Sequence, residues 1–345
     1  MVEKDNSYLT SNIIIVLLIL LSCDLLAQIT ESNAQQSYRV VFYNLENYFD
    51  AEIDTSLNYN EYTPEGELHW TTNKFKEKTN NIYKVVQALS TWDGITMAGI
   101  CEIENKNVIE ALLYNTPLKK YSYNYIHYNS PDNRGIDVAL IYGPELSPIS
   151  SRVYSISDPQ LNKINTRDIL YVKALLKFDT IHVFVNHWTS RYRGLMESKP
   201  LRMQFSNLLK SKTDSIYNIV DNPKVIIMGD FNDQAFDDSL LNLSKDGRLL
   251  NLKASPLENN SQGTLKYKSD WYIFDQVLVS QSLKEEGESL TICDEGLKIF
   301  DSRFLLENDD KYLGLKPFRT NIGYKYNGGY SDHLPIYFDL RNNTE

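Results

Sequence analysis

Cysteine is scarce in this 345-residue chain, where Cys23, Cys101 and Cys293 are all there is. None has the close spacing of a structural zinc site. Cys23 falls in the N-terminal segment. A Cys101–Cys293 bridge is left open, against the alternative that Cys101, set in an apolar run, is a buried thiol. Basic residues are also in deficit, 35 Lys and Arg against 45 Asp and Glu, which gives a formal charge of -10 and a pI near 5.1. That excludes the broad basic footprint with which proteins hold DNA. It does not exclude a local basic site, above all one around a metal cation. No Pro-, Gly- or Ser-rich linker and no short repeat breaks the body of the chain, so one domain is expected in preference to two. Long apolar runs are missing too, apart from Ile13–Leu21, which is shorter than the ~20 residues of a membrane-spanning helix.

That single run carries the address. IIIVLLILL, followed by the small residues Ser22 and Ala27, fits the apolar region of a secretory signal peptide with cleavage after Ala27 or Ala34. Lys4 is opposed by Glu3 and Asp5, which weakens the positive lead of such peptides. Leu20-Leu21-Ser22-Cys23 also has the form of a bacterial lipobox, with Cys23 as a lipid-anchored first residue; an uncleaved anchor is the third alternative. All three put the body outside the cytoplasm, secreted or periplasmic. Residues 1–34 are set apart as a leader and 35–345 are read as the domain.

What remains has ordinary globular composition, 42% hydrophobic and 23% charged. Its 24 tyrosines and 13 phenylalanines suit a strand-rich fold or a decorated cleft. Strands are expected at 38–43, 95–102, 137–142, 169–178, 181–187, 225–230, 273–279 and 335–340. Phe178-Asp179-Thr180-Ile181 reads as a hairpin link between two of them. Helices are expected over 73–89, where Ile82, Val85, Val86 and Leu89 recur at helical spacing, and within 201–220, with Phe205, Leu208, Leu209 and Ile216 on one side. Helices interleaved with strands throughout give a mixed α/β domain.

The polar residues worth chemistry fall at the C-terminal ends of the apolar runs, where α/β sheets place their sites. Asn44 and Glu46 follow RVVFY, Glu102 follows ITMAGIC, Asn186 and His187 end IHVFV, and Asp230 and Asn232 follow KVIIM. Asp275 interrupts WYIFDQVLV, and Asp332-His333 precedes the last run. Asp230 and Asn232, two apart in extended chain, face one side and can hold a water between them. Taken alone, Gly229-Asp230-Phe231-Asn232 reads more readily as a turn. Ser331-Asp332-His333 is either a cap or loop, or a carboxylate beside an imidazole ready for metal and phosphate. Glu102 is a surface cap or a ligand. Of five histidines, His187 and His333 have other candidate groups beside them, while His69, His127 and His182 read as structural or exposed. Taken together, hard oxygen ligands suit Mg²⁺ or Mn²⁺, with Ca²⁺ open as well. An acid–metal–histidine set without a serine or cysteine nucleophile motif is what direct attack of water on phosphorus requires.

In this order the motifs make the chain similar to the DNase I-like endonuclease/exonuclease/phosphatase superfamily. The resemblance runs from about Tyr38 to Leu340. It rests on YNLEN at Asn44, CEIEN at Glu102, RGIDVALIY from Arg134, NHW at Asn186, GDFND at Asp230, FDQVLVS at Asp275 and SDHLP at Asp332. It implies a four-layer sandwich, two face-to-face mixed β-sheets flanked by α-helices, with the site at one end. It implies Glu102 as principal metal ligand, with Asn44, Glu46 and Asp332 around the ion. Asp230 would orient or deprotonate water, and Asn232 would fix water or phosphate. His333, paired with Asp275, would hold the scissile phosphate, and His187 would be a general acid or second phosphate clamp.

Two stretches, Ser130–Gly135 and Asn186–Arg202, look like a secreted bacterial subgroup. They make Asn186, Arg134, Arg191 and Arg193, with Arg202, candidates for phosphate, against the alternative of ordinary surface arginines. The expected activity is hydrolysis of phosphodiester bonds by an exported nuclease. The alternative is the same mechanism on another phosphate ester, a sphingomyelin-type lipid, a nucleotide or a polyphosphorylated small molecule, which the acidic charge favours modestly. A binding scaffold without catalysis ranks last, because Glu102, Asp230, Asn232, His187 and His333 are all in place. No obligate protein partner is expected.

Overall fold

Each of two β-sheets grows around one parallel pair of strands. The computed structural model describes residues 37–53, 61–156, 165–293 and 296–343; the segment expected to be a leader, 1–34, lies outside the described residues. The long strands are, in chain order, β1 (Ser37–Tyr48), β2 (Met97–Ile103), β3 (Asn124–His127), β4 (Asp137–Tyr142), β5 (Leu146–Tyr154) and β6 (Ile169–Leu176). They continue with β7 (Asp179–His187), β8 (Lys224–Asp230), β9 (Leu249–Asn251), β10 (Asp275–Ser280) and β11 (Ile336–Asn342). One sheet has the order β3-β4-β2-β1-β11, extended past β11 by short strands, and the other β5-β6-β7-β8-β10-β9. β1 with β2 and β7 with β8 are parallel, and their neighbours are antiparallel.

Both sheets are covered on both faces, which is why their strands read as nearly unbroken apolar runs. Period-two alternation divides them. In β7 and β8, Val183, Val185, Ile226 and Met228 enter the core between the sheets. Phe184, Val225 and Ile227 turn outward onto α3 (Leu195–Tyr217), whose Phe205 and Leu209 bury there, each worth about 2 kcal/mol of apolar burial. On the far side, α1 (Thr72–Leu89) lays Ile82, Val85 and Leu89 on the first sheet, and α2 (Lys106–Tyr114) adds Val108, Ile109 and Leu112. Met228 of the second sheet packs onto Gly99 of the first, where an added Cβ would lie 2.6 Å from Met228 Sδ. The result is the expected four-layer mixed α/β sandwich.

Local chemistry sets the ends. Thr71 caps α1 through Lys74 N, and Asn105 caps α2 through Asn107 N and Val108 N. α3 begins at Leu195, ahead of the span read from periodicity, and holds Pro200 in its second turn, where the missing N–H leaves one main-chain bond unmade. α2 and α4 (Asp238–Ser244) escape a periodicity reading because they are too short for their apolar faces to repeat. Cys101 is a buried thiol in β2 and Cys293 a half-buried one, so the bridge left open above is not formed.

Candidate active site

The topology brings the strand ends together. β1, β2, β7 and β8 all finish at one end of the sandwich. β10 starts there with Asp275 directly across from Asp230, and the chain returns through Asp332 and His333 into β11. In the parallel pair, His187 stands beside Asp230. Irregularities in β1 after Asn44 and in β2 at Glu102 break the strand alternation and re-aim side chains that would otherwise point into the layers. Glu46, Asn47, Glu102 and Asn232 accordingly have φ of 51°, 52°, 59° and 50°. For the two glutamates this left-handed backbone is strained by ~1–3 kcal/mol each. Hydrogen bonds hold it in place: Glu46 N donates to Asn44 Oδ1 (2.9 Å), Asn47 N to Glu102 Oε2 (2.9 Å) and Asn232 N to Asp230 Oδ1 (2.9 Å).

At the centre sits Asp230, fully enclosed. Its Oδ2 accepts from Asn44 Nδ2 at 3.0 Å and lies 3.7 Å from His333 Nε2 and 3.8 Å from His187 Nε2. Burial raises the Asp230 carboxyl to about 7; His333 works against this and the facing Asp275 adds to it. On its other side the His333 ring meets Asp275 Oδ2 with Nδ1 at 2.7 Å. Burial opposes charge on that imidazole, but Asp275 and Asp230 together overcome it and hold the proton well above the usual histidine range. His187 behaves oppositely. Burial, then the fields of Arg167 and Arg134, push it well below 6.5, so it is neutral at pH 7. Its Nδ1 is buried without a partner, while Nε2 faces Glu102 Oε1 at 3.7 Å. Two imidazoles a few ångströms apart therefore carry different charge.

A second group of charges adjoins the first. Glu102 Oε2 lies 4.0 Å from Arg134 Nη2, whose guanidinium also bonds Asn47 Oδ1. Glu46 does not share a ligand face with Glu102: its Oε1 accepts from Arg319 Nε (3.1 Å) and its Oε2 from Thr320 N (2.6 Å). Arg319 Nη2 also reaches Asp332 Oδ2 at 3.0 Å. Burial would raise Asp332, but Arg319, His333 and Lys78 hold it below the usual carboxylate range. Lys78 is buried beneath, donating to Thr320 Oγ1 and Tyr330 O, and burial brings it down to about 8.

The donor set fits a divalent cation. Glu102 Oε1 receives no hydrogen bond, Asp275 Oδ1 is buried with none, and Asp332 brings a further hard oxygen. Asp230, Asp275 and His333 also place three ligand atoms within 4.8 Å of one another, although an imidazolium is no ligand. Glu102, Asp332 and the Asn44 amide are the further oxygens at this end of the sandwich.

The remaining candidates are placed elsewhere. Asn186 is spent inside the sheet, its Nδ2 on Met228 O and its Oδ1 on Trp188 Nε1. Arg191 bonds Asn232 O, Asp233 and Asp237, and Arg202 pairs with Asp233 under full burial. Both brace the loop behind Asn232, Arg202 under full burial and Arg191 through Nε and Nη2. The side chain of Arg193 lies outside the described residues. His127 and His182 are structural, on Asp137 and Tyr171. Sequence reading missed Lys78, Asn47, Arg167, Asp233 and Arg319. Lys78 left a signal, since it stands four residues before Ile82 in the apolar stripe of α1. Arg319 left none, because its partners are 273 and 13 residues away in the chain.

Comparisons agree with this geometry. No curated protein matches the chain by sequence. Among solved structures, an endonuclease/exonuclease/phosphatase family protein from Bacteroides thetaiotaomicron superposes with a TM-score of 0.57 at 15% identity, over 89% of this chain and 96% of that one. The human Nocturnin catalytic domain with bound sulfate gives 0.54 at 14%, over 89% and 95%. The Bacteroides thetaiotaomicron mannosyl-6-phosphatase gives 0.56 at 14%, over 88% and 99%. The family model for the Endonuclease/Exonuclease/phosphatase family matches residues 39–342. The chain belongs to that family of phosphoester hydrolases, whose members are generally dependent on a divalent metal.

Proposed function

We propose that this chain hydrolyses a phosphate ester by attack of water on phosphorus, with Asp230 as the group that takes the water's proton. The observation that carries this is the setting of Asp230: an enclosed carboxylate near neutrality, held by Asn44 and Asn232 and flanked by two imidazoles of opposite charge state. A base with an affinity for protons near the working pH is the most effective one. Glu102 and Asp332, with Asn44, would hold a Mg²⁺ or Mn²⁺ ion, which when bound supplies positive charge to the phosphate oxygens. Charged His333, kept so by Asp275, donates through Nε2 to a phosphate oxygen and offsets the charge that builds there. Neutral His187 offers Nε2–H as a second donor. Asn232, its main chain pinned by Arg191 and Asp230, orients the water.

A compact phosphate ester is favoured as substrate over long nucleic acid. Arg191 is paired with Asp233 and Asp237 and buried Arg202 with Asp233, and the chain carries a charge of -10, which disfavours holding a long polynucleotide backbone. The nuclease is the second reading. We further propose that the enzyme acts outside the cytoplasm, on the strength of the N-terminal apolar run.

The test is an assay of the mature chain with Mn²⁺ or Mg²⁺, with and without chelator, on plasmid DNA, RNA, a generic diester and a generic monoester. Chelator-sensitive turnover that Asp230→Asn lowers by ~10²-fold or more is the expected result. Near-normal turnover in that variant would remove Asp230 from the mechanism. Cleavage of plasmid or RNA alone would replace the compact ester with the nuclease.

A further inference from the structure

Among the described residues Glu46 is 3% exposed, and both its oxygens are taken by the dipeptide Arg319-Thr320. Three contacts, Nε on Glu46, Nη2 on Asp332 and the Thr320 amide on Glu46, fix the plane of one guanidinium. A planar fork held at two of its nitrogens is aimed. Its Nη1 meets no acceptor among the described residues, and the side chain remains 42% exposed beside Asp332, the residue before His333. Lys78 lies directly behind, buried on the hydroxyl of Thr320 and the carbonyl of Tyr330. Its ammonium has no carboxylate in ion-pair contact and adds its field to the same spot. An aimed donor edge, a second cation behind it and a catalytic acid–histidine pair alongside make a seat for the oxygens of a tetrahedral oxyanion.

We propose that Arg319 binds a non-bridging oxygen of the substrate's phosphate through Nη1, and that Glu46 is the residue that positions it instead of a metal ligand. This rests on the phosphoester-hydrolase reading above for the word substrate, but not for the binding itself. It separates two carboxylates that the family resemblance puts on one ion. Glu102 faces the cation, and Glu46 faces the arginine. Glu46 therefore acts on phosphate at one remove, through the direction it gives to Arg319.

The experiment is titration of the purified full chain with Mn²⁺, and then with inorganic phosphate in saturating Mn²⁺, by calorimetry, for wild type, Glu46→Gln, Glu102→Gln, Arg319→Gln and Arg319→Lys. Arg319→Gln is expected to weaken phosphate by ~10²-fold, as loss of a charge-assisted contact does, and to leave Mn²⁺ affinity within about 10-fold. Arg319→Lys, which keeps charge without the fork and guards against a misfolded Gln variant, should recover part of the phosphate affinity. Glu46→Gln should weaken phosphate and spare Mn²⁺, while Glu102→Gln loses Mn²⁺. Loss of Mn²⁺ by ~10²-fold or more in Glu46→Gln would make Glu46 a ligand and overturn the proposal. So would a comparable tightening of Mn²⁺ in Arg319→Gln, which would make the arginine a stand-in for the ion, or unchanged phosphate binding in that variant. Parallel assays of turnover keep the two readings apart. Phosphate binding that depends on Arg319 in a chain that hydrolyses no ester would sustain this proposal and sink the hydrolase.

Discussion

Replacing Asp275 by Asn removes one charge and almost no volume, and it should move activity and stability in opposite directions. Asp275 Oδ2 lies 2.7 Å from His333 Nδ1, with both side chains buried. A hydrogen bond to a charged group contributes about 1.5–3 kcal/mol, and two unit charges ~4 Å apart at an effective dielectric near 20 attract by about 4 kcal/mol. Asparagine keeps a hydrogen bond and loses the attraction. His333 then holds its proton less firmly, and stabilisation of a charged phosphate falls by about 3 kcal/mol, or ~10²-fold in turnover. Folding responds otherwise. Asp275 Oδ1 is buried with no partner, and the residue stands directly across the ladder from Asp230. Neutralising it relieves a like-charge pair, leaves an uncharged amide where the unsatisfied oxygen was, and still leaves His333 with Asp230 as its counter-charge, so stability should hold or rise by up to ~2 kcal/mol. Turnover with Mn²⁺ and urea unfolding, measured on the same preparation, check both. A variant that keeps its rate and loses more than ~2 kcal/mol of stability would refute the assignment of this carboxylate to the chemistry.

Three further outcomes follow from the same structure. Asp230, lifted by burial to about 7, must be ionised to accept a proton, so kcat/KM should climb with pH along an acid limb whose midpoint lies at or below 7, since a nearby cation favours the carboxylate. A rate that shows no acid limb anywhere below about pH 7 would exclude that role. His182, against Tyr171, is pushed by burial and then by Lys173 from 6.5 to about 4. Its folded form is depressed below the unfolded one, so its contribution is complete above pH 6.5 and is lost as pH falls toward 4. His182→Gln should flatten that part of the stability curve, and an unchanged slope would assign acid unfolding to other groups. Gly229→Ala would put a methyl 2.6 Å from the main-chain oxygen of Asn186, which cannot yield without parting β7 from β8. A loss of ~2–3 kcal/mol in urea unfolding, with activity falling as His187 and Asp230 separate, is expected. Gly247→Ala, with nothing within 4 Å and φ of 74°, is the control and should lose about 1 kcal/mol.

The sequence made the strands legible because both sheets are buried on both faces, and each apolar run ends where its polar residue begins. Glu102, His187 and Asp230 could be found that way, since a carboxylate or imidazole at the end of a core strand must either cap it or work. Side-chain duties could not be read by the same rule. Asn186 has the right type and position, yet the tryptophan two residues on and the neighbouring strand consume its amide. Arg191 sits in a motif rich in arginine, but its Nη2 is turned onto carboxylates from 233 and 237. Conversely, Arg319 lies in a loop with nothing periodic about it, and its meaning comes from Glu46, 273 residues earlier.

The strain at this end of the sandwich explains why its carboxylates differ so much in role. Left-handed backbone at Glu46 and Glu102 turns two glutamates of neighbouring strands away from the sheet planes. Glu46 has both oxygens held, by an arginine and an amide, while Glu102 keeps Oε1 without a hydrogen bond among the described residues, and the difference between them is set by main-chain geometry before any ligand arrives. The like-charged ladder pair Asp230 and Asp275 is tolerable only because His333 stands against both. An arrangement of this kind costs several kcal/mol locally and is held by the apolar layers behind it, where Met228 fills the space above Gly99 and Phe205 and Leu209 cover the second sheet. The chemistry is therefore carried by an end of the sandwich that holds strained backbone and facing like charges. Substitutions that make this end more comfortable should be the ones that silence it.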